Sequence, residues 1–286
     1  VLQLDFISED RRLARVFVND AQHQRFRRAF AVRQFLEIAK YPNAVRSHVQ
    51  GDASHRAYER IKSAGRQSAI LMNAPETPPG ETIADGKSYA TLVHRATDTR
   101  PFEAVGKFLL ASGLSAPNIY AADHTDGFML LEDLGGTSLL DAAGMPDEGR
   151  YAEAVDMLAH LHNSAGKMSQ SITGVGGNYI LPQFGRTVFL TEVSLFSEWF
   201  SAHKGYPLCN DVKESYLDIW SKLFDRLESA ETGIILRDVH SPNLLWLEER
   251  EGINRIGVLD FQDALWGPQV YDLASLIFDA RVTISR

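Results

Sequence analysis

The segment IILRDVHSPNLLW, residues 234–246, decides the fold prediction for this chain of 286 residues. Its apolar start predicts a short strand that delivers Asp238 into a loop, and Asn243 follows five residues later. Downstream, residues 256–259 (IGVL) predict a second strand that ends at Asp260. No other asparagine in the chain has an aspartate five residues before it, so the combined pattern is specific.

These polar side chains suit one kind of chemistry, the transfer of a phosphoryl group to a hydroxyl. A carboxylate such as Asp238 must accept or orient the proton of the attacking hydroxyl. An amide oxygen and a second carboxylate, here Asn243 and Asp260, are the kind of ligands that Mg²⁺ takes beside nucleotide phosphates. The alternative, a loop in which Asp238 and Asn243 only cap local backbone, leaves Asp260 unexplained.

The pattern resembles the protein-kinase-like fold, and within it the aminoglycoside phosphotransferase and choline kinase branch, over residues 45–284. The resemblance implies an α+β, two-lobed fold with a small β-rich N-lobe and a larger helical C-lobe, and ATP as the phosphoryl donor. It also implies that Asp238 is the catalytic base and that Asn243 and Asp260 bind Mg²⁺. Leu236 stands where the family usually has histidine, a structural support whose absence should not abolish catalysis.

Asp272, in the segment QVYDLA, resembles the family's aspartate at a helix start. That resemblance implies structural support, because the family's aspartate ties down the catalytic loop. The alternative is an ordinary first-turn carboxylate that interacts only with the helix dipole.

The chain is predicted to have three parts. Residues 1–20 resemble the tail of the ATPase subunit that serves tRNA threonylcarbamoylation, so we expect them to be the tail of an upstream domain. Residues 21–134 are expected to form the N-terminal ATP-covering lobe, and residues 135–286 the helical catalytic and acceptor-binding lobe. The chain begins with Val1 rather than Met, so we expect the natural N-terminus to lie upstream. We also expect the chain to stop early, because members of the resembled family continue past the helix that holds Asp279.

Hydrophobic periodicity and turn residues predict the individual elements. The predicted strands are 2–6, 13–18 and 69–72, with a hairpin at 118–131 that turns at Asp126-Gly127. The predicted helices are 21–40, one that Pro101 opens and Gly113 ends, 148–164, 188–202 and 212–229.

Two segments are predicted to contact ATP. A phosphate-facing hairpin is expected at residues 51–56, and a hinge that bonds adenine through its backbone is expected at residues 132–134. The alternative for residues 51–56 is an ordinary surface hairpin, and the alternative for the hinge is a buried strand that ends in a turn. The predicted nucleotide contacts are Ser54, His55 and Arg56 in the hairpin and Glu132, Asp133 and Leu134 in the hinge.

One departure from the family concerns the lysine that usually lies on the third strand and contacts the phosphates. The corresponding residues 69–73, AILMN, contain no lysine. Arg56 or Lys62 would have to compensate, and Glu103 is the expected acidic partner on the following helix.

Three segments, residues 51–54, 72–75 and 272–281, together resemble the anomeric kinases of cell-wall recycling. Those enzymes phosphorylate N-acetylmuramate and N-acetylglucosamine at C1, and they also lack the strand lysine. Carboxylates suit sugar hydroxyls, and an arginine suits a lactyl carboxylate. The residues expected to contact the acceptor are His240, Asp263, Asp279 and Arg281. For each of them a local structural role, such as a backbone bond or a surface ion pair, remains an alternative.

Two rival functions stay open from the sequence. One is a kinase of another acceptor, such as an aminoglycoside, choline or homoserine. The other is a non-catalytic pseudokinase that binds nucleotide, which the missing strand lysine motivates.

The composition narrows the partners. With 29 basic and 37 acidic residues the net charge is 29 − 37 = −8, which disfavours generic nucleic-acid binding. Cys209 is the only cysteine, so the chain has no internal disulfide and suits the reducing cytoplasm. No apolar run approaches the ~20 residues needed to cross a bilayer. We therefore predict a cytoplasmic protein with a small-molecule acceptor and neither a nucleic-acid nor a membrane partner; its oligomeric state stays open.

Overall fold

The computed structural model of the chain describes residues 2–8, 11–50, 56–78, 80–84, 86–165 and 170–284. The first elements in chain order are β1 (Leu2–Ser8), β2 (Arg11–Val18), α1 (Asp20–Ile38), β3 (Val45–Val49), β4 (Ala57–Lys62), β5 (Ala69–Asn73), β6 (Thr82–Ala84), β7 (Lys87–Ser88), α2 (Tyr89–Leu92), α3 (Arg100–Ala111), β8 (Ile119–Asp123) and β9 (Phe128–Glu132). They are followed by α4 (Glu148–Ala165), β10 (Ser171–Gly174), β11 (Gly177–Ile180), α5 (Arg186–Leu195), α6 (Ser201–His203), α7 (Asn210–Asp225), β12 (Thr232–Ile235), β13 (Leu244–Trp246), β14 (Ile256–Val258), β15 (Leu265–Pro268) and α8 (Val270–Ile277).

The chain divides into two compact units. One consists of Val1–Pro75 with Tyr120–Leu131, and the other of Glu76–Ile119 with Glu132–Arg286. Strands and helices occur in both units, which confirms the predicted α+β class.

The first unit is built on a sheet of five strands in the order β3-β4-β5-β9-β8. Strands β3 and β4 are antiparallel, with Val45 opposite Lys62, and β4 and β5 are antiparallel, with Ala57 opposite Asn73. Helix α1 packs on one face of this sheet. The buried residues at this contact are Val32, Phe35 and Leu36 from the helix and Ile61, Ala69, Leu71, Phe128 and Leu130 from the strands.

Helix α1 begins where the sequence provides a cap. Asn19 Oδ1 accepts a hydrogen bond from the Gln22 backbone N–H at 2.8 Å, and Gln22 Oε1 accepts one from the Asn19 N–H at 3.0 Å. This reciprocal capping box satisfies donors that the first turn would leave unpaired. The preceding strands β1 and β2 pair antiparallel; the sequence predicted the two strands but not their pairing.

The turn between β8 and β9 requires glycine. Gly127 has φ +68°, and a Cβ atom there would lie 2.0 Å from the Ala74 carbonyl oxygen. The Ala74 N–H in turn donates to the Gly127 carbonyl at 2.8 Å. Gly127 therefore lets two backbone segments approach closely, in addition to supplying a left-handed turn.

The second unit contains the predicted helices of the second half. Helices α4, α5 and α7 agree with the predicted segments, and a π-helical turn, Phe196–Phe200, joins α5 to α6. The antiparallel hairpin of β10 and β11 was not predicted. Two further antiparallel pairs, β12 with β15 and β13 with β14, follow the helices. In the described part of the chain, no helix has the length and apolar character needed to cross a membrane.

The predicted division at residues 134 and 135 stays a prediction, and the two units differ from it in their placement of residues 76–119. Helix α3 groups with the second unit because its Phe102 ring lies 4.6 Å from the ring of Phe261. The segment after α3 adds a backbone contact, in which the Val258 N–H donates to the Ser115 carbonyl at 2.7 Å. These contacts join residues that are distant in sequence, so local patterns could not reveal them.

Candidate active site

Two short strand pairs of the second unit bring the predicted site together. Asp238 lies in the loop after β12, and Asn243 ends a 3₁₀ turn immediately before β13. Strand β13 pairs with β14, and the Leu259 N–H donates to the Asn243 carbonyl at 2.9 Å. Asp260 follows Leu259 directly. The pairing therefore carries Asp260 to the part of the loop that holds Asn243.

The loop around Asp238 is held by its own backbone. The Asp238 carbonyl accepts hydrogen bonds from Asn243 Nδ2 at 2.9 Å and from the His240 N–H at 3.1 Å. The Asn243 N–H donates to the His240 carbonyl at 2.9 Å. Asn243 Nδ2 points at the loop backbone. In the planar amide group the oxygen lies opposite the nitrogen, so Asn243 Oδ1 points away from that backbone.

The carboxylate of Asp238 lies in surroundings that oppose its charge. Burial raises the pKa of Asp238, and the nearby negative charge of Asp260 raises it further, to about 6. The positive charge of Arg237 acts in the opposite direction. Asp238 is therefore ionised at neutral pH but is a stronger proton acceptor than an ordinary aspartate.

The turn at Asp260 is anchored on both sides. Gln262 Nε2 donates to Asp260 Oδ1 at 2.8 Å, and the fully buried Phe261 packs against α3. Asp260 has φ +55° and Arg237 has φ +71°, a left-handed conformation that is uncommon outside glycine. Such backbone persists only where surrounding contacts determine it, and it is frequent at functional sites.

Asp272 makes the contact that the resemblance implied. Its side chain is fully buried at the first turn of α8. The carboxylate accepts the Leu236 N–H at 3.0 and 2.9 Å and the Arg237 N–H at 3.0 Å. His162 Nε2 lies 3.5 Å from Asp272 Oδ2. Asp272 therefore fastens the two residues that precede Asp238.

The residues predicted to contact the acceptor have local roles in the structure. Asp279 is 8% exposed; its Oδ2 accepts the Ser241 N–H at 2.9 Å, and its Oδ1 accepts the Arg281 N–H at 2.8 Å. Asp263 Oδ1 accepts the Ala96 N–H at 2.6 Å. His240 Nε2 lies 3.3 Å from Asn243 Nδ2, and the Arg281 side chain is exposed. Contact with an acceptor stays a prediction for all of them.

The predicted nucleotide contacts are only partly described. Ser54 and His55 lie outside the described residues, and Arg56 is half-buried just before β4. Asp133 Oδ1 accepts the Gly135 N–H at 3.2 Å, and Leu134 is half-buried.

Glu132, at the predicted hinge, is already engaged. Its N–H donates to the Asn118 carbonyl at 2.8 Å. Its carboxylate accepts from Asn118 Nδ2 at 2.6 Å and from Arg250 Nη2 at 2.8 Å. An adenine ring at this segment would have to use other backbone groups of residues 132–134. Glu103, the expected partner of a phosphate-binding cation, pairs with Lys107 on its own helix at 2.5 Å.

The sequence interpretation missed one group beside the site, Glu192 on α5. Glu192 forms an ion pair with Arg237, and its Oε2 atom accepts a hydrogen bond from the Tyr271 hydroxyl at 3.3 Å. A signal for it exists in the sequence. Glu192 lies four residues after the buried Val188, so it shares the inward face of the helix, where a charge needs a partner.

Asn243 and Asp260 carry oxygen atoms of the kind that a magnesium ion takes as ligands. Among the described residues, no group of three or more His, Cys, Asp or Glu side chains is arranged to enclose a metal. Mg²⁺ does not need such a cage, because it commonly takes one or two protein oxygens together with water and substrate phosphates. The carboxylates of Asp238 and Asp260, which repel each other, favour a cation at this place.

The fold and this loop arrangement define a kinase-like phosphotransferase. The phosphotransferase enzyme family matches residues 46–285 of the chain, and the chain belongs to this family. The family confirms the predicted class, a small-molecule phosphotransferase. A solved structure with the same fold is the ADP-bound aminoglycoside phosphotransferase APH(2'')-Ib, with a TM-score of 0.53 and 12% identity over 86% of this chain and 75% of that chain.

Curated relatives share one description, N-acetylmuramate/N-acetylglucosamine kinase. The relative from Caulobacter vibrioides is 34% identical over 262 residues, which cover 88% of this chain and 71% of the relative. The relative from Pseudomonas aeruginosa is 33% identical over 238 residues, which cover 81% of this chain and 59% of the relative. The chain thus spans about three fifths to seven tenths of the length of these two relatives.

Proposed function

We propose that the chain is an ATP-dependent kinase that phosphorylates the C1 hydroxyl of N-acetylmuramate and N-acetylglucosamine. The observation that carries the proposal is Asp238, an ionised carboxylate whose pKa is raised to about 6, in a loop fastened by Asp272 and beside Asn243 and Asp260. The descriptions of the relatives support the amino-sugar acceptor. ATP and the sugar would meet in the cytoplasm.

In the proposed reaction Asp238 accepts the proton of the acceptor hydroxyl. The hydroxyl oxygen forms a bond to the γ-phosphorus of ATP, the bond from that phosphorus to the β,γ-bridging oxygen breaks, and ADP leaves. A general base is most effective when its pKa is close to the working pH, so the raised pKa suits this role. The C1 hydroxyl of a sugar is more acidic than its other hydroxyls, which makes it a suitable acceptor for a carboxylate base.

Asn243 and Asp260 would hold magnesium through oxygen atoms. Bound there, the ion would supply positive charge that offsets the charge of the phosphates. Gln262 orients one Asp260 oxygen, and Asp272 keeps the backbone before Asp238 in place. The protein's contribution is then mainly positioning and charge, as is general for phosphoryl transfer.

An acceptor screen tests the proposal. ADP release would be measured with Mg-ATP and N-acetylmuramate, N-acetylglucosamine, an aminoglycoside, choline and homoserine, and each product would be identified by ³¹P and ¹³C NMR. We expect turnover with the two amino sugars and a C1 phosphate as product. Turnover with only one of the other compounds would identify that compound as the acceptor in place of the amino sugars. Mg-ATP binding without turnover on any compound would favour a non-catalytic pseudokinase.

A further inference from the structure

The side chain of Arg237, the residue before the proposed base, is enclosed in the second unit. It is 10% exposed and forms an ion pair with Glu192, which is 19% exposed. Arg237 Nη1 also donates to the Val93 carbonyl at the end of α2, at 3.0 Å. One guanidinium therefore ties the catalytic loop to both α2 and α5.

The backbone of Arg237 is held as firmly as its side chain. Its N–H donates to Asp272 Oδ1 at 3.0 Å, and its carbonyl accepts from Ser275 Oγ at 3.0 Å. Its φ of +71° is a conformation that glycine adopts without strain and that other residues resist. An arginine here is costly for the backbone, so its side-chain contacts must offset that cost.

Glu192 completes the arrangement from the opposite side. One of its carboxylate oxygens faces Arg237, and the other accepts the Tyr271 hydroxyl at 3.3 Å. Tyr271 and Asp272 are neighbours in the first turn of α8. The two carboxylates that bind Arg237 are therefore both tied to this turn, Asp272 as part of it and Glu192 through the Tyr271 hydroxyl. A displacement of Glu192 would move the guanidinium, and with it the peptide that leads into Asp238.

We propose that Glu192 is a positioning residue for phosphoryl transfer, which acts through Arg237 to place the Asp238 carboxylate against the acceptor hydroxyl. The inference rests on the proposed function and adds residues to it. Reacting groups must be placed to within fractions of an ångström, and a misplacement of about 1 Å can cost about a hundredfold in rate. The expected signature is a loss of kcat, with little change in the KM for ATP.

The test compares Glu192→Gln, Arg237→Met and the double variant with wild-type enzyme, using Mg-ATP and the best acceptor of the screen. We expect kcat to fall about tenfold in each single variant, with the KM for ATP within about twofold of wild type. The double variant should be no slower than the slower single variant, because the two residues act as a unit. Glu192→Asp, which keeps the charge, should recover part of the kcat lost in Glu192→Gln.

A matched control is Glu198→Gln in the neighbouring π-helical turn, which removes an exposed ion pair with Lys213 of 2.6 Å. It should leave kcat unchanged. Removing one partner of a buried ion pair can prevent folding, but Arg237→Met/Glu192→Gln leaves no unpaired charge. Circular dichroism would show that this double variant is folded, and its kcat then tests the inference. A kcat of the double variant within about threefold of wild type would overturn the inference. Wild-type enzyme without turnover on any acceptor would instead refute the proposed function.

Discussion

Asp238 combines two demands that ordinarily conflict in a single residue. As the proposed base it must be ionised to accept a proton, yet it lies partly buried beside the negative charge of Asp260. Arg237, the adjacent residue, offsets part of that penalty without making a salt bridge that would weaken the base. The guanidinium is instead paired with Glu192, so its positive charge acts on the Glu192 carboxylate as well as on that of Asp238.

The pH dependence of catalysis should report this environment. Protonated Asp238 cannot accept a proton, so kcat/KM should fall about tenfold per pH unit below the raised pKa of about 6. A pH profile of kcat/KM between about pH 4.5 and 9 measures this. A profile that stays level down to about pH 4.5 would contradict the assignment of Asp238 as the base.

The same raised pKa has a consequence for stability. A carboxylate whose pKa is higher in the folded state stabilises the fold while it is protonated, and that contribution is lost as pH rises from the ordinary value of 3.8 through about 6. Asp238→Asn should therefore increase the free energy of unfolding at about pH 8, by up to about 2 kcal/mol, and give no such gain at about pH 4. Urea unfolding at both pH values measures the difference. Asp218→Asn, which removes an exposed ion pair with Lys222 on α7, is the matched control and should not increase the free energy of unfolding at about pH 8. A destabilised Asp238→Asn at about pH 8 would contradict the account.

Helix α8 and the residue Asp279 after it hold the loop of residues 236–243, which contains the proposed base. Three residues in and just after this helix bond to the loop: Asp272 to the Leu236 and Arg237 N–H groups, Ser275 to the Arg237 carbonyl, and Asp279 to the Ser241 N–H. Strand β12 on one side and the pair β13–β14 on the other fix the ends of the loop. The loop is thus held along its length while the Asp238 side chain stays available for chemistry.

Removal of the Asp272 carboxylate should release the loop from α8. In Asp272→Ala the N–H groups of Leu236 and Arg237 lose their acceptor in a buried place, which should cost roughly 2–4 kcal/mol of unfolding free energy and most of the activity. Asp211→Ala removes an aspartate from the first turn of another helix, α7, where the side chain is exposed. Chemical denaturation should show little change for Asp211→Ala. Equal, small effects of the two substitutions would mean that Asp272 only interacts with the helix dipole.

The turn between β8 and β9 permits a similar matched comparison. Gly127→Ala would put a methyl group 2.0 Å from the Ala74 oxygen, so the β5 and β9 segments would have to separate, at a cost of about 3 kcal/mol or more. Gly176→Ala, at φ +74° with open space around it, should cost only about 1 kcal/mol. Thermal unfolding of both variants measures the difference. Similar midpoints for the two would show that the close approach at Gly127 does not matter.

Across the whole molecule, the sequence was most informative where the signals are local. The capped helix α1, the strands around residue 70, the helix opened by Pro101 and the strand-loop-strand pattern at Asp238 all follow from neighbouring residues. The hairpin of β10 and β11 escaped prediction, although the run of glycines at 174, 176 and 177 is a turn signal. The helical periodicity of the surrounding segments obscured it.

Contacts between distant residues could not be predicted in this way. Arg237 and Glu192 are 45 residues apart, and Asp263 bonds to Ala96 over 167 residues. The spacing of Glu192 from Val188 indicates a charge that needs a partner, but no local pattern indicates which residue that partner is. The engagement of Glu132 by Asn118 and Arg250 belongs to the same class. The chemistry of the site therefore stays a prediction from the sequence, and the resemblance also implied the contact of Asp272 with the loop. The contacts of Glu192 with Arg237 and of Glu132 with Asn118 and Arg250 required the structure.

In the proposed reaction, Asp238 takes the proton of the acceptor hydroxyl, while Asn243 and Asp260 hold the metal that serves the nucleotide. The most direct test is a single-turnover reaction of Asp238→Asn with Mg-ATP and N-acetylmuramate, followed by ³¹P NMR, together with titration of Mg-ATP binding by calorimetry. The account predicts binding of Mg-ATP as tight as in wild type and no sugar phosphate on the time scale of wild-type turnover. Sugar phosphate formed by Asp238→Asn at a rate close to that of wild type would contradict it.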